Sequence, residues 1–362
     1  MTPTIGRSAR SLVIAESGGT AVSADATQLL DESTFTGLVQ AHRHELQVHC
    51  YRMVGSFSDS EDLVQETLLR AWRKRDTFQG RSTARAWLYR IATNACLDFL
   101  DRSQRQPRPE GVPGTGSAAW SPDRIPWLEP YPDLLLDQAA PRDAEPDTVI
   151  IDKETIELAF LIAVQHLPPK RRAVLIARDI LGWPAADTAD MLGLSVASVN
   201  SALPRARATL RSHLPPRRLE WAPTQNPTEA ERLLMQRYLA LLEQADIGAM
   251  AELLHEDVRV TMPMPQPCPS STRETLWVGR DAFAAALAEI LDPAAPGYLG
   301  HWRRQPTRAN RQPAVAHYLR RRGDTLYRAQ VLEVLWVTEG RIAEITSFAP
   351  DLFSAFDLPA TC

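Results

Sequence analysis

The sequence is poor in the residues that staple, span or catalyse. It has four cysteines in 362 residues, at positions 50, 96, 268 and 362, with no C-x-x-C pair. That scatter excludes a disulfide scaffold, and His49-Cys50 has no second pair to complete a zinc site. No apolar run approaches the ~20 residues needed to span a bilayer. The stretch from Ser11 to Ala15 is too short for a signal-peptide core, so a reduced cytoplasmic protein is expected. There is no glycine-rich phosphate loop, no metal-ligand cluster and no nucleophile triad, so no metal and no cofactor are expected. A net charge of −4 excludes a simple nucleic-acid coat.

Charge distribution says more than the total. Residues 35–106 carry eleven Lys/Arg against eight Asp/Glu, and residues 153–218 carry ten against five. Between them, 107–152 has three against nine, and 219–362 has fourteen against eighteen. Two mildly basic blocks are therefore separated by an acidic one and followed by another. The chain divides into an N-terminal arm (1–34), a helical block (35–106), an acidic Pro-rich linker (107–147), a second helical block (148–214), a short linker (215–227) and a C-terminal block (228–359). Within the first linker, Trp127 to Pro132 is unusually aromatic; a stiff spacer is the simpler reading, docking on a neighbouring domain the other.

The stretch from Ser60 to Arg105 is the most informative. Leu63, Val64, Thr67, Leu68, Ala71 and Trp72 recur on one helix face, with Ser60 as the expected N-cap. Asp62, Gln65, Glu66, Leu69 and Arg73 occupy the other face, and a leucine there fits either a partner surface or a solvated face with one stray apolar residue. A second helix, Thr83 to Arg102, has the stripe Ala84, Trp87, Leu88, Ile91, Ala92, Ala95 and Phe99, leaving Arg90, Thr93 and Asn94 off it. The loop Phe78 to Ser82 suits an unstacked base, although an ordinary helical hairpin uses the same residue types.

HCYRMVGSFSDSEDLVQETLLRAW followed by TARAWLYRIATNACLDFL resembles region 2 of the sigma-70-type initiation factors of bacteria, in the extracytoplasmic-function group. The resemblance implies that Asp62, Gln65 and Glu66, with Leu69, dock on the clamp helices of RNA polymerase. It implies that Phe78, Arg81, Trp87, Arg90 and Asn94 handle the melted minus-ten strand.

Pro184 to Leu192, a turn at Gly193 and Ser195 to Arg211 read as a helix-turn-helix. Ser195 caps the second helix; Val196, Val199, Leu203, Ala206 and Leu210 form its expected buried stripe. Ser198, Asn200 and Ser201 suit base edges, and Arg205 and Arg211 suit phosphates. The segment LPPKRRAVLIARDILGWPAADTADMLGLSVASVNSALPRARATLR resembles region 4 of the same family. That resemblance implies contacts with the minus-thirty-five element, Ser195 included, and with the polymerase flap. Pro204 departs from the pattern and leaves the lie of Arg205 and Arg207 open.

After a helix capped by Thr228, the C-terminal block is expected to hold Tyr238 on a further helix turn, a strand near His255, a helix from Gly279 to Leu291, and three antiparallel strands (312–321, 325–338 and 341–348). It resembles the SnoaL-type, NTF2-like domain fused to certain of these sigma factors. The fold class is thus multidomain: two all-α sigma domains and an α+β cone. The resemblance implies a transcription initiation factor whose partners are core RNA polymerase and promoter DNA. It leaves room for an anti-sigma factor or for a small ligand of the cone, which is expected to modulate activity. The alternatives are an isomerase- or cyclase-type enzyme, or a ligand sensor, fused to a DNA-binding module, and a repressor that never touches polymerase. Asp257, His255, His301, His317 and Tyr318 are the candidate acid–base residues, none with a partner at telling spacing, so no catalytic residue is assigned.

Overall fold

The computed structural model describes residues 32–78, 83–103, 125–139, 155–214, 229–261 and 276–362. Helices α1 (Glu32–Val54), α2 (Phe57–Lys74) and α3 (Ala84–Ser103) pack into a bundle around Leu46, Cys50, Met53, Leu63, Ala71, Leu88, Ala92 and Cys96. The first helix begins at Glu32, so the N-terminal arm gives up its last residues to it. Helix α2 starts three residues before the expected cap. Ser56 has extended backbone and accepts from the Asp59 amide, which stabilises a helix end by ~1 kcal/mol. Ser60 is instead buried inside the helix, donating to the Phe57 carbonyl at 2.6 Å. Thr93, expected off the stripe, is also fully buried.

The expectation of a plain spacer fails over 125–139. Tyr131 is completely buried, 4.9 Å from the Tyr51 ring and 5.1 Å from Phe57. The Glu129 carboxylate accepts from the Ser56 hydroxyl (2.9 Å) and the Ser58 amide (2.8 Å), placing a negative charge on the positive end of α2. Helix α4 (Asp133–Ala139) follows. The aromatic run docks because each ring fills an apolar seam and each backbone polar group finds a partner there.

The next block holds α5 (Leu158–Gln165), α6 (Pro169–Leu175, continued by a π-helical turn Ile176–Ile180), α7 (Ala185–Leu192) and α8 (Val196–His213). Gly193 ends α7 in the left-handed conformation (φ +62°), the geometry that the turn between the two helices needs. Ser195 caps α8 as expected, accepting from the Ser198 amide. Val199, Leu203 and Ala206 are buried, but Val196 is 44% exposed, because the first turn of α8 projects beyond the core. Pro204 lies on the exposed face and α8 runs through it without a break; the Asn200 carbonyl it leaves without a helical donor faces solvent.

The C-terminal block comprises α9 (Glu229–Gln244), α10 (Ile247–Glu252), β1 (Leu254–Thr261), β2 (Leu276–Val278), α11 (Arg280–Leu291), β3 (His301–Ala309), β4 (Gln312–Arg320), β5 (Arg328–Thr338) and β6 (Arg341–Phe348). Asp246 caps α10; Thr228 lies outside the described residues. Instead of three antiparallel strands there is a six-stranded sheet in the order β2-β1-β6-β5-β4-β3, with β1 and β6 parallel. Strand β3 (HWRRQPTRA) escapes a hydrophobicity reading because it is an edge strand, where charge and Pro306 are tolerated. One face of the sheet packs on α9, α10 and α11 through Tyr238, Leu242, Leu287, Val315, Leu335 and Ile345. The other face, with Ala314, Ala316, Leu332, Val334 and Phe348, shares a core with Tyr51, Leu128, Tyr131 and Leu161. The sheet is therefore a wall common to the C-terminal block and the helical blocks.

Candidate polymerase and promoter interfaces

On α2, Asp62, Gln65 and Leu69 are exposed at the spacing of one helix face, and Leu69 is 52% exposed. Glu66 is half-buried and already engaged: Arg70 donates to it at 2.7 Å and to Asp98 at 2.7 Å. The two carboxylates hold the Arg70 guanidinium above its ordinary range.

The minus-ten candidates are partly assembled. Phe78 and Trp87 lie 5.3 Å apart, and Trp87 packs on the bundle core while keeping part of its surface open. Asn94 is exposed. Arg81 lies outside the described residues. Arg90 is exposed yet donates to the Asp190 carbonyl at the end of α7 at 2.6 Å. Nearby, Trp183 meets Tyr89 edge-on at 5.7 Å and Thr93 contacts the Met191 sulfur. The helix that carries the minus-ten candidates is thus held by the helix-turn-helix block.

His49 lies beneath this contact. The Thr93 hydroxyl donates to the Tyr89 carbonyl (2.8 Å), so it accepts from His49 Nε2 (2.9 Å), which assigns the Nε2–H tautomer. Burial, with Arg52 and Arg85 adding repulsion, pushes the imidazole down to about 3, so it is neutral at physiological pH.

On α8, Ser198, Asn200, Ser201, Arg205 and Arg211 are all exposed along one side. The Ser195 hydroxyl is spent on the cap, and Arg205 folds back on Ser201, bonding its carbonyl and hydroxyl at 3.0 Å each. Arg207 pairs bidentately with Asp179 (2.8 and 2.6 Å), fastening α8 to the π-helical turn. The carboxylate lifts the Arg207 guanidinium above its ordinary range.

Sequence reading misses the residue that joins the two helical blocks. Arg172 on α6 is fully buried with no carboxylate partner, and donates to the carbonyls of Met53, Gln165 and Leu167 and to the Gln165 side chain. These carbonyls end α1 and α5, so the guanidinium sits at the negative poles of two helices. Burial pushes it down to about 9, which still leaves it charged near neutrality. The signal was an arginine in line with Ile176, one turn along the buried face of the same segment.

Of the acid–base candidates in the C-terminal block, only His317 is inside the cone. His255 and Asp257 meet at the surface, where the Asp257 amide donates to His255 Nδ1, and His301 is exposed. Tyr318 faces the shared core on the opposite side, against Phe353.

The chain matches the sigma-70 region 2 family over 38–106, sigma-70 region 4 over 158–210 and the SnoaL-like domain over 235–345. It is 39% identical over 332 residues to the ECF RNA polymerase sigma factor SigG of Mycobacterium tuberculosis, spanning 90% of this chain and 84% of that one. The chain belongs to the extracytoplasmic-function (ECF) sigma factors. SigM of the same organism is 31% identical over 180 residues, covering 50% of this chain and 76% of the relative. The crystal structure of M. tuberculosis SigJ shares the fold over 90% of this chain and 99% of that one, with a TM-score of 0.56 at 22% identity. This ECF factor is thus a transcription initiation factor built from the two sigma regions and a SnoaL-like tail. Among its described residues no helix is long and apolar enough to cross a membrane.

Proposed function

We propose that this factor docks on core RNA polymerase through Asp62, Gln65 and Leu69 of α2, with Glu66 as their buttress, and then places Trp87, Asn94 and the preceding loop against the minus-ten strand. The N-terminal half of α8 reads the minus-thirty-five element, Arg205 and Arg211 supplying phosphate contacts. It works in the cytoplasm, and nothing in this reading needs catalysis by the tail. The observation that carries it is Leu69, a large apolar side chain left in water on a helix whose opposite face is fully used. In vitro transcription with core enzyme tests the reading as a whole. The combined Asp62→Ala, Gln65→Ala and Leu69→Ala variant should keep native circular dichroism and lose most of its core-enzyme affinity, on the order of 100-fold for an interface centred on these residues. Unchanged co-purification of a folded variant would falsify the docking face.

The closed packing of the two sigma blocks supports a second element of the proposal. Minus-ten and minus-thirty-five elements lie roughly 25 base pairs apart, on the order of 80 Å at about 3.4 Å per step. Blocks that share one core cannot bridge that span, so promoter engagement requires the contact of α3 with α7 to open, releasing Arg90 from Asp190. For the upstream element, Arg205→Ala should weaken binding equally across sequences and reduce the salt slope by about one charge. A change in base preference at constant salt slope would instead make Arg205 a base reader.

A further inference from the structure

Inside the cone, one row of polar side chains crosses four neighbouring strands. Arg304 on β3 is paired in register with His317 on β4, and Glu333 on β5 with Ser347 on β6. His317 Nε2 lies 2.9 Å from Glu333 Oε2, and the Tyr238 hydroxyl of α9 donates to the same oxygen at 3.2 Å. Burial alone would raise the Glu333 carboxyl, but His317, Tyr238 and Arg304 together hold it below the ordinary carboxylate range, so it is an anion whose engaged oxygen is already twice occupied.

The row is left with donors and no matching acceptors. Arg304 Nε, Trp302 Nε1 and the Ser347 hydroxyl are buried and have no hydrogen-bond partner. Ser347 is wholly enclosed, whereas Arg304 and Trp302 stand two residues apart on the same face of edge strand β3 and are only part-buried. Arg304 makes no ion pair among the described residues. Buried donors without acceptors cost free energy each, and a cation kept this way inside an apolar shell is retained for something that comes to it.

We propose that the interior of the C-terminal cone binds a small, largely apolar molecule carrying a carboxylate, with Arg304 and Trp302 as its anchors. The carboxylate accepts from Arg304 Nε and Trp302 Nε1, and its apolar body lies against Leu242 and Leu287 of the cone lining. The arrangement gives the tail something to sense. Hairpin β3–β4 carries Trp302, Arg304 and His317 on its inner face, and at its tip Asn310 and Arg311 grip α1 and α4.

The test is calorimetry on the full chain without polymerase, so its outcome is independent of the transcription role. Benzoate, phenylacetate and octanoate are titrated beside their neutral amides. At least one carboxylate should bind saturably, its amide should bind at least ~10-fold more weakly, and Arg304→Gln should lower the carboxylate affinity by a similar factor. No saturable binding by any of the three carboxylates, equal binding of the amide, or wild-type affinity in Arg304→Gln would each overturn the proposal. Should Arg304→Gln fail to fold, Trp302→Phe removes only the indole N–H, and unchanged affinity there overturns it as well.

Discussion

Asn310→Ala should release the SnoaL-like tail from the sigma blocks. Asn310 is fully buried at the tip of β3–β4 in the left-handed conformation (φ +56°), which asparagine tolerates and alanine resists by ~1–2 kcal/mol. Its side-chain oxygen accepts from the Tyr131 amide (2.8 Å), and its amide donates to the Tyr51 hydroxyl (2.9 Å) and the Ile156 carbonyl (2.7 Å). Truncation leaves the Tyr131 amide and the Ile156 carbonyl buried without those partners, each costing about 1–3 kcal/mol. The expected loss is ~3–5 kcal/mol from the tail contact. It should appear as an early melting step, new protease sensitivity between α3 and α5, and transcription altered in the same direction as in a chain truncated after Trp221. Asn310→Asp keeps the acceptor and loses both donors, and should fall between. A single unchanged melting transition with an unchanged protease map would show that Asn310 is not the clasp.

Arg172→Met is expected to part the two sigma blocks. Methionine fills much of the volume but satisfies none of the acceptors at the ends of α1 and α5, so a loss of ~3–5 kcal/mol is expected. Because the site is dry, the effect should hardly depend on salt, unlike that of a surface pair such as Arg70 with Asp98. Small-angle scattering should report a larger radius of gyration. Binding of the free factor to an isolated minus-thirty-five duplex should improve, since α7 no longer spends surface on α3. Arg172→Lys retains the charge without the planar fork and should rescue only part of the loss. A variant as compact and as stable as the parent would remove Arg172 from the role of lock.

Much of the fold was legible because it is local. The 3.6-residue period in Leu63 to Trp72, the cap at Ser195 and the glycine turns at Gly193 and Gly340 are decided by neighbours a few residues away. The misreadings have physical reasons of their own. Ser56 displaced Ser60 as cap because Glu129, from another segment, supports the earlier start. Thr93 is buried because Met191 covers it. Strand β3 is held by pairing with β4 along its whole length, not by an apolar pattern.

The sites divide the same way. The exposed face of Asp62, Gln65 and Leu69, and the exposed side of α8, follow from helix period alone. By itself the sequence determined the two basic helical blocks, their order, the acidic stretch between them and the mixed α/β tail, since each rests on composition and short-range periodicity. Only the tertiary structure decided that the aromatic linker docks, that Arg172 closes the two blocks on each other, that Glu333 meets His317 and Tyr238, and that Asn310 clasps the tail. Tyr51 and Asn310 stand 259 positions apart. A hydrogen bond across that distance leaves no period, cap or turn signal at either end, because its partner is chosen by packing and not by the neighbouring chain.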